Sequence, residues 1–437
     1  MISSRLRRGD LLPRMVAPPR GPALDALSRR LGAHEAPGIN TLQEGRAAVA
    51  WAAARGANVL DVEGNRYLDF TAGFGVAAVG HRHPRVMAAL RRQSARVVHG
   101  LGDAHPHPLR AELAERLCRL APIPDPRVYY AVSGADAVEI ALKTALLSGR
   151  GPGVLAFEPG YHGLTLGALA VTSRAHFREP FASHLHHRLH RLPFGADPSQ
   201  LDRLLEEHRE IGCAIVEPVV GREGVLFPPP GWLHALASTC RRHDVLLVAD
   251  EIFTGFGRTG HLFAVEAAGV EPDLLCCGKA LGGGLPIAAV VGRRPLMEAW
   301  ASGGEARHTG TFVAHPLACA TSLAVLDVVE QEALPNRALY LGERVAGELA
   351  RWSEEFAPVV ETRGRGLLWG VEVDSSETAY RWVAEARMLG VLVLAGGPKG
   401  TVAQLVPPLT ITERQLDAGL ALLRQALSAA TESSESR

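Results

Sequence analysis

Lysine is almost missing from this chain. Of its 46 basic residues three are Lys (Lys143, Lys279 and Lys399) and the other 43 are Arg. A chemistry that needs a lysine amine therefore has three places to reside. An excess of either charge is missing too: 46 basic and 46 acidic residues give a net charge of zero. That balance implies no nucleic-acid or acidic-membrane partner. No run of about 18 apolar residues is free of charges or breakers, so no membrane span is expected. The six cysteines (Cys118, Cys213, Cys240, Cys276, Cys277, Cys319) lack metal-ligand spacing. They read as reduced thiols of a cytoplasmic protein, with no metal expected. The Arg- and Pro-rich start has no apolar h-region, which excludes a secretory signal.

What remains is an ordinary globular composition, 47% hydrophobic and 21% charged. The length suits one large domain with a smaller one. Residues 1–40 read as an arm that packs on a partner subunit. Residues 41–105 read as the first part of a small domain and a crossover, 106–328 as the large domain, and 329–437 as the rest of the small one. Residues 56–70 alternate around a Glu-Gly-Asn turn and predict a β-hairpin. Between about 108 and 295 helical and strand-like runs alternate: Ala111–Leu120 and Ala135–Leu147 as helices, and Arg127–Val132, Val154–Phe157, Ala214–Val216, Val245–Val248 and Leu274–Cys277 as strands. That pattern predicts an α/β fold with a mostly parallel central sheet and helices on both faces. Its ligand belongs at the carboxyl ends of the strands, where Glu217, Asp250 and Lys279 all fall. Beyond about 330 the pattern becomes α+β, with a strand over 366–373 and helices over 378–389 and 412–429.

Several segments carry chemistry. Ser133-Gly134-Ala135 joins a strand to a helix. It reads as an anion site at a helix N-terminus or as a plain Ser N-cap. Tyr161-His162-Gly163 offers an aromatic for stacking on a planar ligand or for packing. Asp250 closes an apolar run, and a buried carboxylate needs a cation. A salt bridge or a pyridinium N–H would each serve. Lys279 follows a second apolar run. An amine and a carboxylate at the ends of buried strands are what an enzyme using pyridoxal phosphate requires.

The motifs Asp-Glu-Ile-Phe-Thr-Gly-Phe-Gly-Arg-Thr-Gly (250–260), Lys-Ala-Leu-Gly-Gly-Gly-Leu-Pro (279–286), Gly-His-Arg-His-Pro (80–84), Thr-Phe-Val-Ala-His-Pro-Leu-Ala (311–318), Arg-Gly-Arg-Gly-Leu (363–367) and Val-Pro-Pro-Leu-Thr-Ile-Thr (406–412) are all present. Together they make the chain resemble the class III (ω-amino acid) aminotransferases of the pyridoxal phosphate fold type I group, from about Gly56 to Leu423. The resemblance implies that Lys279 is the Schiff-base lysine and proton shuttle and that Asp250 pairs with the pyridine nitrogen. It implies that Ser133, Gly134 and Ala135 serve the phosphate, that Tyr161 and Ile252 cover the two ring faces, and that His162 and Glu217 lie at the cofactor. It also implies a homodimer in which Thr311 reaches the phosphate of the neighbouring subunit.

The sequence departs from that pattern at the substrate. The family's Gln three residues after the Asp is Phe253. Positions that hold carboxylate-binding groups in relatives are Leu164, Gln404 and Phe74, and the Glu that parks the family's Arg is Arg222. Two readings are open: Arg222 binds the carboxylate of a 2-oxo acid, or it points to solvent and the main substrate is a simple amine. Lys399, in a Gly-rich loop, is a second candidate cation. The run from Tyr161 to Phe181 is most similar to putrescine and diaminobutyrate aminotransferases, which implies a terminal-amine or diamine donor with 2-oxoglutarate or pyruvate as acceptor. An aminomutase of the glutamate-semialdehyde type and a catalytically silent scaffold are the alternatives.

Overall fold

Four of the five strand runs read from the sequence form the middle of a seven-stranded sheet, and the fifth, near Arg127–Val132, forms one of its edges. The computed structural model describes residues 6, 8–38, 49–301 and 304–435. The sheet's strands lie side by side in the order Pro126–Ala131, Ala288–Arg293, Leu274–Cys277, Leu246–Asp250, Ile211–Val216, Gly153–Glu158 and Leu189–Pro193. Ala288–Arg293 runs antiparallel to both of its neighbours; the other pairings are parallel. Strands Ile211–Val216, Leu246–Asp250 and Leu274–Cys277 are buried along their whole length, because helices cover both faces.

Side chains alternate across a strand with a period of two, and this divides the sheet between two cores. Cys213, Ile215, Leu246, Val248, Leu274 and Cys276 pack with helix Gly134–Leu147. Ala214, Val216, Leu247, Ala249, Leu275 and Cys277 pack with helices Trp232–Arg242 and Pro316–Gln331. Adjacent Cys276 and Cys277 therefore face opposite cores, and all six cysteines are free thiols.

The hairpin predicted near residue 60 forms as Asn58–Asp61 and Arg66–Asp69, with Gly64 at φ +94° in its turn. Its second strand pairs in parallel with Val391–Leu392, which ties the beginning of the chain to its end. A second antiparallel sheet orders Val359–Arg365, Leu368–Val373, Val402–Leu405 and Leu394–Gly396. Helices Ser376–Met388 and Glu413–Glu435 pack together here; Trp382 Nε1 donates to Leu423 O at 2.8 Å, and its ring meets Trp352 edge-on.

The described part of the arm is held against the small unit of its own chain. Arg14 bridges to Arg66, Val16 N donates to Asn65 Oδ1, and Gln415 Nε2 donates to Gly9 O and Leu11 O, so this stretch lies on its own chain. Residues 39–48, which include the end of the arm, lie outside the described residues.

The loop after Asp250 joins the two units. Arg258 is fully enclosed, and Nη1 donates to Leu367 O (3.1 Å) and Pro407 O (2.5 Å). Burial lowers its guanidinium to about 9, against the pull of Asp69. Gly366 sits at φ +59°, where a Cβ would lie 2.6 Å from Arg258 O; only glycine allows that approach. The conspicuous Gly-Phe-Gly-Arg motif thus clamps the small unit onto the large one.

Candidate active site

Neighbouring strands end together, so the segments that leave them converge. Leu246–Asp250 ends in Asp250, Ile211–Val216 leads to Glu217, Leu274–Cys277 leads through Gly278 to Lys279, Pro126–Ala131 leads to Ser133, and Gly153–Glu158 leads to Tyr161 and His162. The carboxyl-end rule for parallel sheets thereby becomes a cluster of named side chains.

Asp250 is buried. Its Oδ1 accepts from Ile252 N at 3.1 Å and its Oδ2 lies 2.7 Å from His162 Nδ1. His162 is buried too, and its backbone N–H donates to Thr172 Oγ1. The ring therefore acts through Asp250 and orients it. Glu217 accepts from Tyr161 N (2.8 Å) and Gly221 N (3.1 Å). Burial pushes its carboxyl up to about 7; His162 opposes that rise and Asp250 adds to it. Lys279 stands in the left-handed region at φ +42°. Its amine is 4.2 Å from the Phe253 ring centroid. Enclosure lowers that amine to about 8, even though Asp250 and Glu217 pull it upward.

At the start of helix Gly134–Leu147, Ser133 Oγ accepts from Asp136 N (3.2 Å), while Asp136 Oδ2 accepts from Val132 N (2.8 Å). The N-cap is real, and the first N–H groups of the helix still have no intrahelical partner. Gly163, at φ +124°, lets its loop approach that end; a Cβ there would lie 2.6 Å from the Ala135 Cβ. Ile252 presses on Gly134 from the other side, 3.0 Å from where a Cβ would be.

The substrate candidates divide. Arg222 stacks its guanidinium carbon 4.4 Å over the centroid of Tyr161 and 5.4 Å from that of Phe177. Among the described residues no carboxylate pairs with it. Gln404 does not offer its amide to the cleft; Nε2 donates to Gly221 O (3.1 Å) and Arg222 O (3.0 Å) and so fixes the loop that carries Arg222. Phe253 wedges between Gly75 and Gly221, whose Cβ atoms would lie 3.2 and 2.3 Å from its ring. Phe74 is 57% exposed in a run of left-handed residues. Lys399 is exposed, and Lys143 bonds His308 Nδ1 at 2.8 Å.

Thr311 is exposed beside Phe312, which is 58% exposed; Val97, Val98 and Leu101 form a second exposed apolar stretch, linked to it through His99 against Phe312. Sequence reasoning missed Arg174 and Glu223. The latent signal was an acid directly after Arg222 in a glycine-rich loop.

The family model "Aminotransferase class-III" matches residues 41–427. The chain belongs to the class III aminotransferases. It is 39% identical to the acetylornithine aminotransferase of Methanopyrus kandleri over 86% of this chain and 93% of that one. It is 33% identical to a probable 4-aminobutyrate aminotransferase of Bacillus subtilis over 86% of this chain and 92% of that one. The crystal structure of the Toxoplasma gondii ornithine aminotransferase superposes with a TM-score of 0.86 at 30% identity, covering 94% of this chain and 96% of that one. This class III aminotransferase is thus a transaminase dependent on pyridoxal phosphate. The residues present fit that cofactor: a buried acid oriented by His162, a lysine amine lowered to about 8 within reach of that acid's field, and a helix N-terminus whose Gly134 packs against Ile252, two residues after that acid. No described helix is long and apolar enough to cross a membrane.

Proposed function

We propose that this enzyme moves the amino group of a primary, terminal amine, a diamine or an ω-amino acid to a 2-oxo acid, and that Arg222 holds the carboxylate of that acceptor. Pyridoxal phosphate supplies an electron-withdrawing ring that accepts the electron pair left when the substrate loses a proton. Lys279 would supply the amine that bonds the cofactor and, once released, the group that carries the substrate's proton. Asp250, oriented by His162, keeps a proton on the ring nitrogen. Gly134 and Ala135, with Ser133 as cap, give N–H groups to the phosphate. Tyr161 and Ile252 would flank the ring, and Glu217 fixes the Tyr161 loop.

The observation that carries the acceptor role is the position of Arg222. Its guanidinium stacks on Tyr161 without a carboxylate partner among the described residues, close enough to Lys279 to help lower that amine. An arginine in that setting is a ready partner for a carboxylate. A terminal-amine donor agrees with relatives named for 4-aminobutyrate and 5-aminovalerate.

Arg222→Ala lowers kcat/KM for the 2-oxo acid by about 10- to 100-fold, the value of a charge-assisted hydrogen bond of about 1.5–3 kcal/mol. The half-reaction with a carboxylate-free amine stays near wild type. Single-turnover kinetics of each half separate the two; equal losses in both would return Arg222 to a structural role.

The enzyme works as a cytoplasmic homodimer. Exposed Val97, Val98, Leu101 and Phe312 supply apolar surface for a second copy, and Thr311 reaches the phosphate across it. Thr311→Ala raises the dissociation constant of the cofactor without dissociating the dimer. Sedimentation together with cofactor titration checks this, and a fully active monomer refutes it.

A further inference from the structure

Glu223, the residue after Arg222, is 1% exposed. Its Oε2 accepts from Arg174 at Nε (3.2 Å) and Nη2 (2.6 Å), while Oε1 is buried with no hydrogen-bond partner among the described residues. Arg174 Nη2 also donates to Gly397 O at 3.0 Å, and Gly397 N donates to Arg222 O at 3.2 Å. The guanidinium carbons of Arg174 and Arg222 each lie 5.4 Å from the centroid of the Phe177 ring. Two cations and the carboxylate of Glu223 thus share a small space beside Tyr161, whose backbone holds the second carboxylate, Glu217. One cation is paired; the other has no carboxylate partner among the described residues.

We infer that Glu223 masks Arg174 and thereby makes this subsite selective for acceptors that carry one carboxylate. The inference rests on the reading of Arg222 as the acceptor's anchor. A monocarboxylic 2-oxo acid engages Arg222 and leaves the neighbouring pair intact. The distal carboxylate of a dicarboxylic 2-oxo acid meets Glu223, whose Oε1 is already short of a donor, and meets Arg174 only by displacing that acid. A buried carboxylate that has lost its arginine is strongly destabilised. The intact pair is close to neutral toward an incoming anion, and once Arg174 is drawn away the bare Glu223 within about 8 Å weakens that anion's binding by an order of magnitude at an effective dielectric near 20. Glu223 is a specificity-determining residue on this account, and it takes no part in proton transfer.

The test uses the holoenzyme in two assays. In the first, amine-loaded enzyme is discharged with pyruvate or with 2-oxoglutarate, and kcat/KM is measured for each. In the second, butyrate or glutarate is titrated against the cofactor's visible band, which reads binding without turnover. Wild type is expected to favour pyruvate and butyrate. Glu223→Gln keeps the shape, removes the charge and frees Arg174; it is expected to raise the diacid-to-monoacid ratio at least about tenfold in both assays. Arg174→Met with Glu223→Gln is expected to cancel that gain. If Glu223→Gln does not fold, Arg174→Met alone is expected to lower the ratio, since it leaves Glu223 charged with nothing opposite. A wild type that favours the diacid overturns the inference, as does an unchanged ratio in Glu223→Gln or a parallel change for both acids, which is what a merely structural strap would produce. Loss of the Arg222→Ala effect would instead sink the anchor reading, so the two failures are distinguishable.

Discussion

Lys279→Ala loses transamination by about 10⁴-fold or more, the upper end of what one general acid–base group contributes, while its fold is retained. The residue is asked both to bond the cofactor and to carry the proton, and no other lysine can substitute: Lys143 is tied to His308 and Lys399 is exposed on a loop. Borohydride reduction followed by peptide mapping is expected to find the pyridoxyl label on Lys279; a label on either other lysine refutes the assignment. The lowered amine adds a pH signature. Only the neutral amine is nucleophilic, and with its pKa at about 8 roughly a tenth is neutral at pH 7. Cofactor capture by the cofactor-free wild type is therefore expected to accelerate as pH rises through about 8 and then level off. Because burial depresses this amine from its ordinary value, the folded protein binds the proton less tightly than the unfolded chain. The group's contribution to stability accordingly rises with pH between about 8 and 10.5.

The second large effect belongs to Asp250. Asp250→Asn keeps the acceptor for Ile252 N but removes the charge that opposes His162 Nδ1 and the ring nitrogen. A charge-assisted hydrogen bond is worth about 1.5–3 kcal/mol, so the fall in kcat is at least about 10- to 100-fold. Contacts to the phosphate are untouched, and the dissociation constant of the cofactor is expected to change far less. His162→Gln, which touches only the orienting partner, is expected to fall between wild type and Asp250→Asn. Near-normal turnover in Asp250→Asn would remove the acid from the proposed chemistry.

Much of this architecture was legible because it depends on short-range patterns. Apolar runs such as Leu274–Cys277 can be buried on both faces only inside a helix-covered sheet, and the acid and amine at their ends are local in sequence. Strands Leu189–Pro193 and Ala288–Arg293 did not stand out. The first is half polar because it lies at the edge of the sheet. The second follows a glycine-rich turn and is half Ala and Gly, so pairing on both sides makes it a strand where propensity alone would not. At the site, Gln404 stood in a position read for its substrate contact, yet its amide is used by the Arg222 loop. Arg174 and Glu223 are 49 residues apart, and only the tertiary fold brings them together.

The division of the sheet between two cores bears on how this protein can change over generations. Asp250 shares the parity of Leu246 and Val248, on the side of helix Gly134–Leu147. Substitutions within that strand alter packing but leave the acid aimed the same way. Loss of a single codon between 246 and 249 would turn its carboxylate to the far side of the sheet, while loss of two would restore its direction but shorten its reach. The site is therefore far more vulnerable to odd-numbered deletions than to point changes, and the length of this strand is as much a part of the site as the residue that ends it.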